Sequence, residues 1–278
     1  MKLIADSGST KTIWVLMEEG VVKNTLQTAG LNPYFNNSET VEATLQTELY
    51  PYIVGDHIRE VHFYGAGCST EKNDLMIREA IQPFCRKAEI GIYHDILGAA
   101  RALFGHDTGI AGILGTGCNS CYYNGHSIFS AVDSLGYLFG DEGAGSYLGK
   151  KFMGRYLKKE LPAELMDEFD QHYRLTLEDI LNALYNRPYP NRFLASFSQF
   201  LGPRQHHPVI HQLVKESFLS FFEAQIKQYE KYRELPVSFI GSIAYYYRDI
   251  LIEAAMEEKI LIGKILQDPV DGLTEFHR

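Results

Sequence analysis

Short apolar runs separated by glycine and hydroxyl residues open the chain, and the same pattern returns near its middle. Residues 2–6 and 12–17 have the character of two strands joined by the turn Ser7-Gly8-Ser9-Thr10. Val21–Thr28 supplies a third strand after the turn Glu18-Glu19-Gly20, and Gly30-Leu31-Asn32-Pro33-Tyr34 is a loop by its Gly and Pro. Ser38 is placed to cap a helix that carries Val41, Leu45 and Leu49 at i, i+4 and i+8 on one face. Val61–Tyr64 is a short strand ending at Gly65-Ala66-Gly67, and Thr70 caps a second helix reaching to about Lys87. Ile90–His94 is a strand with Asp95 at its C-terminal end, and Ile96–Phe104 is a helix rich in small residues.

The order β-β-β-α-β-α-β-α then restarts. Ile110–Leu114 is a strand leading into a second Gly-rich turn, Ser120–Tyr123 is its hairpin partner, and Asn124-Gly125 is a strong two-residue hairpin signal before the strand Ser127–Val132. The polar stretch Gly140–Ser146 leads into a helix through Leu161, and residues 162–234 are mainly helical, with a capping box at Thr176 and Asp179. Val209, Leu213, Val214, Phe218, Phe221, Phe222 and Ile226 form a broad apolar face that belongs in a core. Pro236–Ile240 is a buried-type strand, a helix follows from Ile243 to Lys259, and a last helix is expected over Leu261–Leu266. Residue identity between the halves is slight, so the internal duplication rests on pattern.

Composition narrows the partners. The 278 residues suffice for one large or two medium domains, and the net charge of −9 comes without any Lys/Arg cluster dense enough for a nucleic-acid footprint. No apolar run approaches the roughly 20 residues of a membrane span, and the N-terminus enters a strand without a signal-peptide core, so neither nucleic acid nor membrane is an expected partner and a cytoplasmic location is. Cys118 and Cys121 form a CxxC, yet no second Cys/His pair stands at matching spacing, and small buried cysteines are common.

The candidate chemistry lies in the two turns, Leu3–Thr12 and Ile113–Ser120. Glycine lets the backbone approach a ligand closely, and successive N–H groups and hydroxyls can hold phosphate oxygens. Two such turns suggest two related halves closing on one nucleotide, although either alone could be an ordinary hairpin. The GxGxxG fingerprint is absent from both Gly65-Ala66-Gly67 and Gly115-Thr116-Gly117, and the run ending Gly149-Lys150 fails the P-loop pattern at Ala144 and Lys151.

Asp6–Thr12, Gly112–Asn119, Gly140-Asp141-Glu142-Gly143 and Gly241-Ser242-Ile243-Ala244 together resemble, over nearly the whole chain, the acetate and sugar kinase/Hsp70/actin superfamily, and more closely the BadF/BadG/BcrA/BcrD-type ATPases and N-acetylglucosamine kinases. The resemblance implies an α/β fold of two ribonuclease H-like (actin-like ATPase) domains, each on the duplicated βββαβαβα core, with a cleft between them. The first domain would span 1–108, completed by 263–278, and the second 109–262. The implied activity is an ATP-dependent phosphotransferase acting on a sugar hydroxyl, most closely that of an amino sugar such as N-acetylglucosamine. The alternatives are an ATPase activator of a partner enzyme and a non-catalytic sugar-binding protein.

ATP and Mg²⁺ are the implied cofactors, a small sugar the implied partner, and a homodimer is compatible with the resemblance. Asp6 would hold Mg²⁺ through water. Gly8, Ser9, Thr10, Lys11, Gly115, Thr116 and Gly117 would face the phosphates, and Gly241 and Ser242 would pass under the adenosine. Asp95 would be the base that takes the proton of the sugar hydroxyl, with a helix cap as its bland alternative. Asn32, Asn119 and Asp141 would bind sugar hydroxyls; a turn residue for Asn32 and a helix cap for Asp141 are the alternatives. Tyr245, Tyr246 and Tyr247 could stack on adenine, but core packing is the stronger expectation. One departure stands out: Ser134-Leu135 replaces the Gly-Trp pair that the N-acetylglucosamine kinases carry before the glycine matching Gly136.

Overall fold

The computed structural model describes all residues from Met1 to Arg278. Two five-stranded sheets form around the two apolar patterns. The first contains β1 (Lys2–Ser7), β2 (Lys11–Glu18), β3 (Val21–Ala29), β4 (Glu60–Gly65) and β5 (Glu89–His94), in the order β3-β2-β1-β4-β5. β1–β2 and β2–β3 are antiparallel, while β1–β4 and β4–β5 are parallel. The second contains β6 (Gly109–Leu114), β7 (Cys118–Tyr123), β8 (Ile128–Val132), β9 (Val237–Ile240) and β10 (Ile262–Leu266), in the order β10-β9-β6-β7-β8, with β6–β9 and β9–β10 parallel. Numbered from each sheet's own first strand, both orders are 3-2-1-4-5, which is the structural form of the duplication.

The chain divides into two compact units. One is Met1–Gly109 with Tyr123–Phe129 and Asp268–Arg278; the other is Ile110–Tyr122 with Ser130–Gln267. In the first, α1 (Ser38–Thr44) and α2 (Glu71–Ile81) cover one sheet face, where Val41, Leu45, Leu49, Ile77 and Ile81 bury against Leu3, Ala5, Trp14, Val61 and Phe63. Asn37, one residue before the expected Ser38, caps α1 through Oδ1, and Thr70 caps α2 as expected. α2 stops at Ile81 and not near Lys87, because Pro83 has no N–H to donate to the carbonyl four residues back and so cannot continue the helix. α3 (Asp95–Phe104) follows β5 directly.

The second unit carries α4 (Gly136–Phe139), α5 (Gly145–Leu157), α6 (Ala163–Tyr173), α7 (Leu177–Tyr185), α8 (Pro190–Ser196), α9 (Ser198–Leu201) and α10 (Pro208–Ala224) between β8 and β9, then α11 (Ser242–Tyr246) and α12 (Arg248–Glu257). The α10 face is core as expected: Leu213, Val214, Phe218, Phe221 and Phe222 bury with Ile110, Leu114, Val237 and Phe239, each aromatic contributing about 2 kcal/mol by its burial. The helix expected over 243–259 is two, broken at Tyr247, whose ring is buried and whose Oη donates to Ser198 O at 2.7 Å. The expectation of a helix over Leu261–Leu266 is wrong: Ile262–Leu266 is the edge strand β10, paired parallel to β9 across a bulge. After it, α13 (Val270–Phe276) belongs to the first unit and packs on α3 so closely that a Cβ on Gly272 would lie 2.4 Å from Ala102 O.

Candidate active site

In the first unit the parallel register aligns Asp6 with Tyr64 and Tyr93, and Ser7 with Gly65 and His94. Asp6, the turn after β4 and Asp95 therefore emerge at one edge, the carboxyl ends of the strands, where open α/β sheets bind their ligands. Gly8 N donates to Lys11 O at 2.9 Å to close the β1–β2 turn, and Thr10 and Lys11 stay exposed on it. The loop after β3 braces this turn. Gly30 N donates to Thr10 O (3.1 Å), Leu31 N to Ser7 Oγ (3.1 Å) and Asn32 Nδ2 to Ser9 Oγ (2.8 Å). A Cβ on Gly30 would lie 2.4 Å from Gly8 O, so the close approach requires glycine. Asn32 Oδ1 also accepts from Tyr34 N at 3.0 Å, so the turn role weighed for it is present beside the contact with Ser9.

Asp6 has its carboxyl pushed up to about 7, by burial first and then by the charges of Asp95 and Asp268, with Lys11 opposing. Three carboxylates against one lysine is a setting that a hard cation would relieve, which fits the Mg²⁺ expectation chemically. Asp95 does not cap α3. His94 holds the cap position and Asp95 is the first helical residue. His94 Nδ1 lies 2.9 Å from Asp95 Oδ1 and 3.4 Å from Ile96 N. One nitrogen cannot donate to the first and accept from the second, and the shorter contact, to a charged oxygen, is the stronger. Burial alone would lower the His94 pKa; the Asp95 carboxylate, helped by Asp74, outweighs it and raises it.

In the second unit Gly115 N donates to Gly117 O (3.0 Å), closing the β6–β7 turn. The first N–H groups of α5 meet this turn: Gly145 N donates to Gly115 O (2.8 Å) and Ser146 N to Thr116 O (3.0 Å). Asp141, with φ at +60°, is buried to 6% exposure and ties the same elements, accepting from Cys118 N at 2.9 Å and from Ser146 Oγ at 3.2 Å. Burial raises its pKa, although those two hydrogen bonds favour the charged form. Ala144, not Asp141, stands at the cap position of α5. Asn119 Oδ1 accepts from Ser120 N (2.9 Å) beside the turn. Gly241 lies against the end of β6 at φ +124°, and the exposed Ser242 opens α11.

The site residues expected from sequence thus form two sets, one in each unit. Asp6, Gly8, Ser9, Thr10, Lys11, Asn32 and Asp95 gather at the first turn; Gly115, Thr116, Gly117, Asn119, Asp141, Gly241 and Ser242 gather at the second. His94 and Asp268 were missed. A histidine beside an acid at a strand end was a signal for the first; the second touches the site through tertiary structure alone. Cys118 and Cys121 are buried and form no disulfide, and burial pushes the Cys118 thiol up. Leu135 is exposed, and the neighbouring Ser134 Oγ donates to Cys118 O at 3.1 Å.

No protein-family model matches the chain, and no curated protein does. Solved structures do. A protein of Porphyromonas gingivalis, designated a putative N-acetylglucosamine kinase, matches with a TM-score of 0.96 and 41% identity over 100% of this chain and 98% of its own. The chain belongs to the N-acetylglucosamine kinase-like family. A Chromobacterium violaceum protein of the same designation shares this family member's fold at TM-score 0.73 and 16% identity, covering 100% of this chain and 98% of its own. A ROK family glucokinase of Streptomyces griseus, solved with glucose and AMPPNP, shares it at TM-score 0.53 and 13% identity, over 99% of this chain and 97% of its own. The N-acetylglucosamine kinase-like chain therefore has the α/β, two-domain actin-like ATPase fold expected of it.

Proposed function

We propose that this chain is an ATP-dependent kinase that phosphorylates a hydroxyl of an amino sugar such as N-acetylglucosamine. The observation that carries the proposal is Asp95, which stands at the carboxyl end of β5 beside the first phosphate-type turn, is free of a capping duty, and is held by His94 at 2.9 Å. Asp95 takes the proton of the acceptor hydroxyl as its oxygen bonds to the γ-phosphorus and ADP leaves. Ser9, Thr10, Lys11 and Thr116 hold the transferring phosphates, with Gly8, Gly115 and Gly117 letting the two turns approach them closely, and this is where most of the catalytic effect of phosphoryl transfer arises. Asp6 would hold Mg²⁺ through water, and the metal would supply neutralisation of the phosphate charge. Gly241 and Ser242 serve the adenosine. Asn32, Asn119 and Asp141 orient the sugar, Asn32 and Asp141 while bracing the two turns. The kinship with BadF/BadG-type ATPases is part of this proposal, but the burial of Cys118 and Cys121 argues against a cysteine-held cluster between subunits. A cytoplasmic location, read from the sequence, belongs to the same proposal, and a homodimer is compatible with it.

The test is ADP release with Mg-ATP over glucosamine, N-acetylglucosamine, N-acetylmuramate, N-acetylmannosamine and glucose, with Asp95→Asn in parallel. Sugar-dependent release lost in the variant is the expected result. Release independent of sugar and equal in both proteins would overturn the kinase assignment.

A further inference from the structure

A second concentration of phosphate-binding chemistry lies on the second unit, along α5 beyond the end that meets the Gly-rich turn. Tyr147, Lys150, Lys151, Gly154, Arg155 and Lys158 follow i, i+3, i+4, i+7, i+8, i+11 spacing and so share one face of α5. That face and α10 enclose a groove of about 560 Å³, within the range of small-molecule sites. Arg155 is paired with Glu216 at 3.1 Å, but Lys150, Lys151 and Lys158 have no carboxylate within ion-pair distance in a protein of net charge −9. Cations near a helix C-terminus are commonplace. Lys150 and Lys151 lie in the middle of the helix, where the dipole neither favours nor disfavours them. Their ammonium groups sit 5.5 and 5.3 Å from the Tyr147 ring centre.

Two further features mark the groove as built. Ser217, on its α10 wall, is 1% exposed, and its Oγ has no hydrogen-bond partner in the protein. A mid-helix serine ordinarily bonds back to its own helix or points to solvent; this one does neither. Opposite, Gly154 leaves open space: a Cβ there would meet nothing within 4 Å. Three unpaired cations, an aromatic face and an unsatisfied buried hydroxyl match a phosphate ester with a polar or ring-bearing body.

We propose that the groove between α5 and α10 binds a small phosphate ester at a site lined by none of the residues of the second unit's Gly-rich turn. The ester could be a sugar phosphate or a nucleoside monophosphate, which share this chemistry. Lys150 Nζ also donates to Tyr137 O at 2.9 Å, and α5 begins on the second turn, so occupancy has a physical route to that turn.

The test is calorimetric titration of the full chain, with Mg-AMPPNP saturating, using inorganic phosphate, glucosamine 6-phosphate and AMP as probes. The wild type, Lys151→Ala/Lys158→Ala and Gly154→Leu are compared. One equivalent of an ester should bind the wild type, bind the double lysine variant about tenfold or more weakly, since hydrogen bonds to charged groups are worth about that much, and fail to bind Gly154→Leu. Raised salt should weaken it further. The preferred ester identifies the ligand's source. The double lysine variant keeps every turn residue, so its kinase activity without ester should match wild type. No binding by the wild type, equal binding by wild type and double variant, or inorganic phosphate binding as tightly as both esters would each overturn the proposal.

Discussion

Replacing Gly241 with alanine should damage this protein more than any single methyl added to its surface. Gly241 stands between β9 and α11 at φ +124°, with its N–H on Leu266 O at 3.1 Å. A Cβ built there would lie 2.3 Å from Leu114 O, 2.6 Å from Leu114 C and 3.2 Å from Gly115 N. All three neighbours are backbone, so none can swing aside as a side chain could. A non-glycine residue in such a conformation costs about 1–3 kcal/mol, and forcing extra volume into a packed site costs about 1–3 kcal/mol more. The sum is about 2–6 kcal/mol. At about 2–4 °C per kcal/mol for a body of 150–250 residues, the Tm should fall by about 10 °C. The displaced backbone is the start of the second turn, so the KM for ATP should rise with it. Gly154→Ala is the control: the same methyl in a helix, with nothing within 4 Å of it, should stabilise by about 0.5–1 kcal/mol. Thermal melts of the three proteins with ATP kinetics make the comparison. A Gly241→Ala protein that melts with the wild type and keeps its KM would refute the reasoning.

Three other outcomes follow from the same geometry. Asp95→Asn should lower kcat by about 10²–10⁴-fold with little change in KM for ATP, and an unchanged kcat in the coupled assay would remove Asp95 as the base. Asp141→Ala leaves the Cys118 N–H and the Ser146 hydroxyl without their acceptor, so it should cost about 1–3 kcal/mol in urea unfolding and raise the KM for the sugar; unchanged stability would show that the turn does not depend on it. Burial, then the nearby charges of His62, Arg101 and Lys2, push the pKa of His277 down to about 3. The folded ring stays neutral while the unfolded one takes a proton near pH 6.5, so stability is full above that pH and is lost as pH falls toward 3. Linkage sets the loss between pH 7 and 5 at about 2 kcal/mol, reduced to about 1 kcal/mol because the ring is partly exposed. His277→Gln should flatten that slope, and an equal slope in both proteins would contradict the assignment.

What could be seen in the sequence was whatever depends on neighbours along the chain. The strand–turn–strand runs at Leu3–Met17 and Ile110–Tyr123, the Thr70 cap and the Thr176–Asp179 box all form where their local chemistry places them. What escaped depends on tertiary pairing. Ile262–Leu266 is a five-residue segment, interrupted by Gly263 and Lys264, too short for periodicity to assign, and it becomes a strand because the edge of β9 is there to receive it. Tyr247 interrupts a helix of good propensity because its hydroxyl finds Ser198 O across the core. At the site, Asp95 was visible at the strand end, but only the structure shows His94 taking the cap position. Asp268 lies far along the chain from Asp6, and nothing local to either residue joins them.

The duplication accounts for more than the sheets. In each unit the connection from the third strand to the fourth returns one polar side chain to the Gly-rich turn: Asn32 to Ser9 in the first, Asp141 to the Cys118 N–H in the second. The connections have little else in common. The first runs from Gly30 to Arg59, while the second runs from Asp133 to Pro236 and carries seven helices. The turn of the first unit is braced by its loop alone and keeps Thr10 and Lys11 exposed beside the acids Asp6 and Asp95. The turn of the second is gripped by the N-terminus of α5 and by a buried carboxylate. A repeated scaffold explains why both turns exist; the unequal third-to-fourth connections explain why they need not do the same work. A charged, exposed turn would suit the transferring phosphate and its metal, and one braced by a helix would suit holding what must stay fixed while transfer occurs.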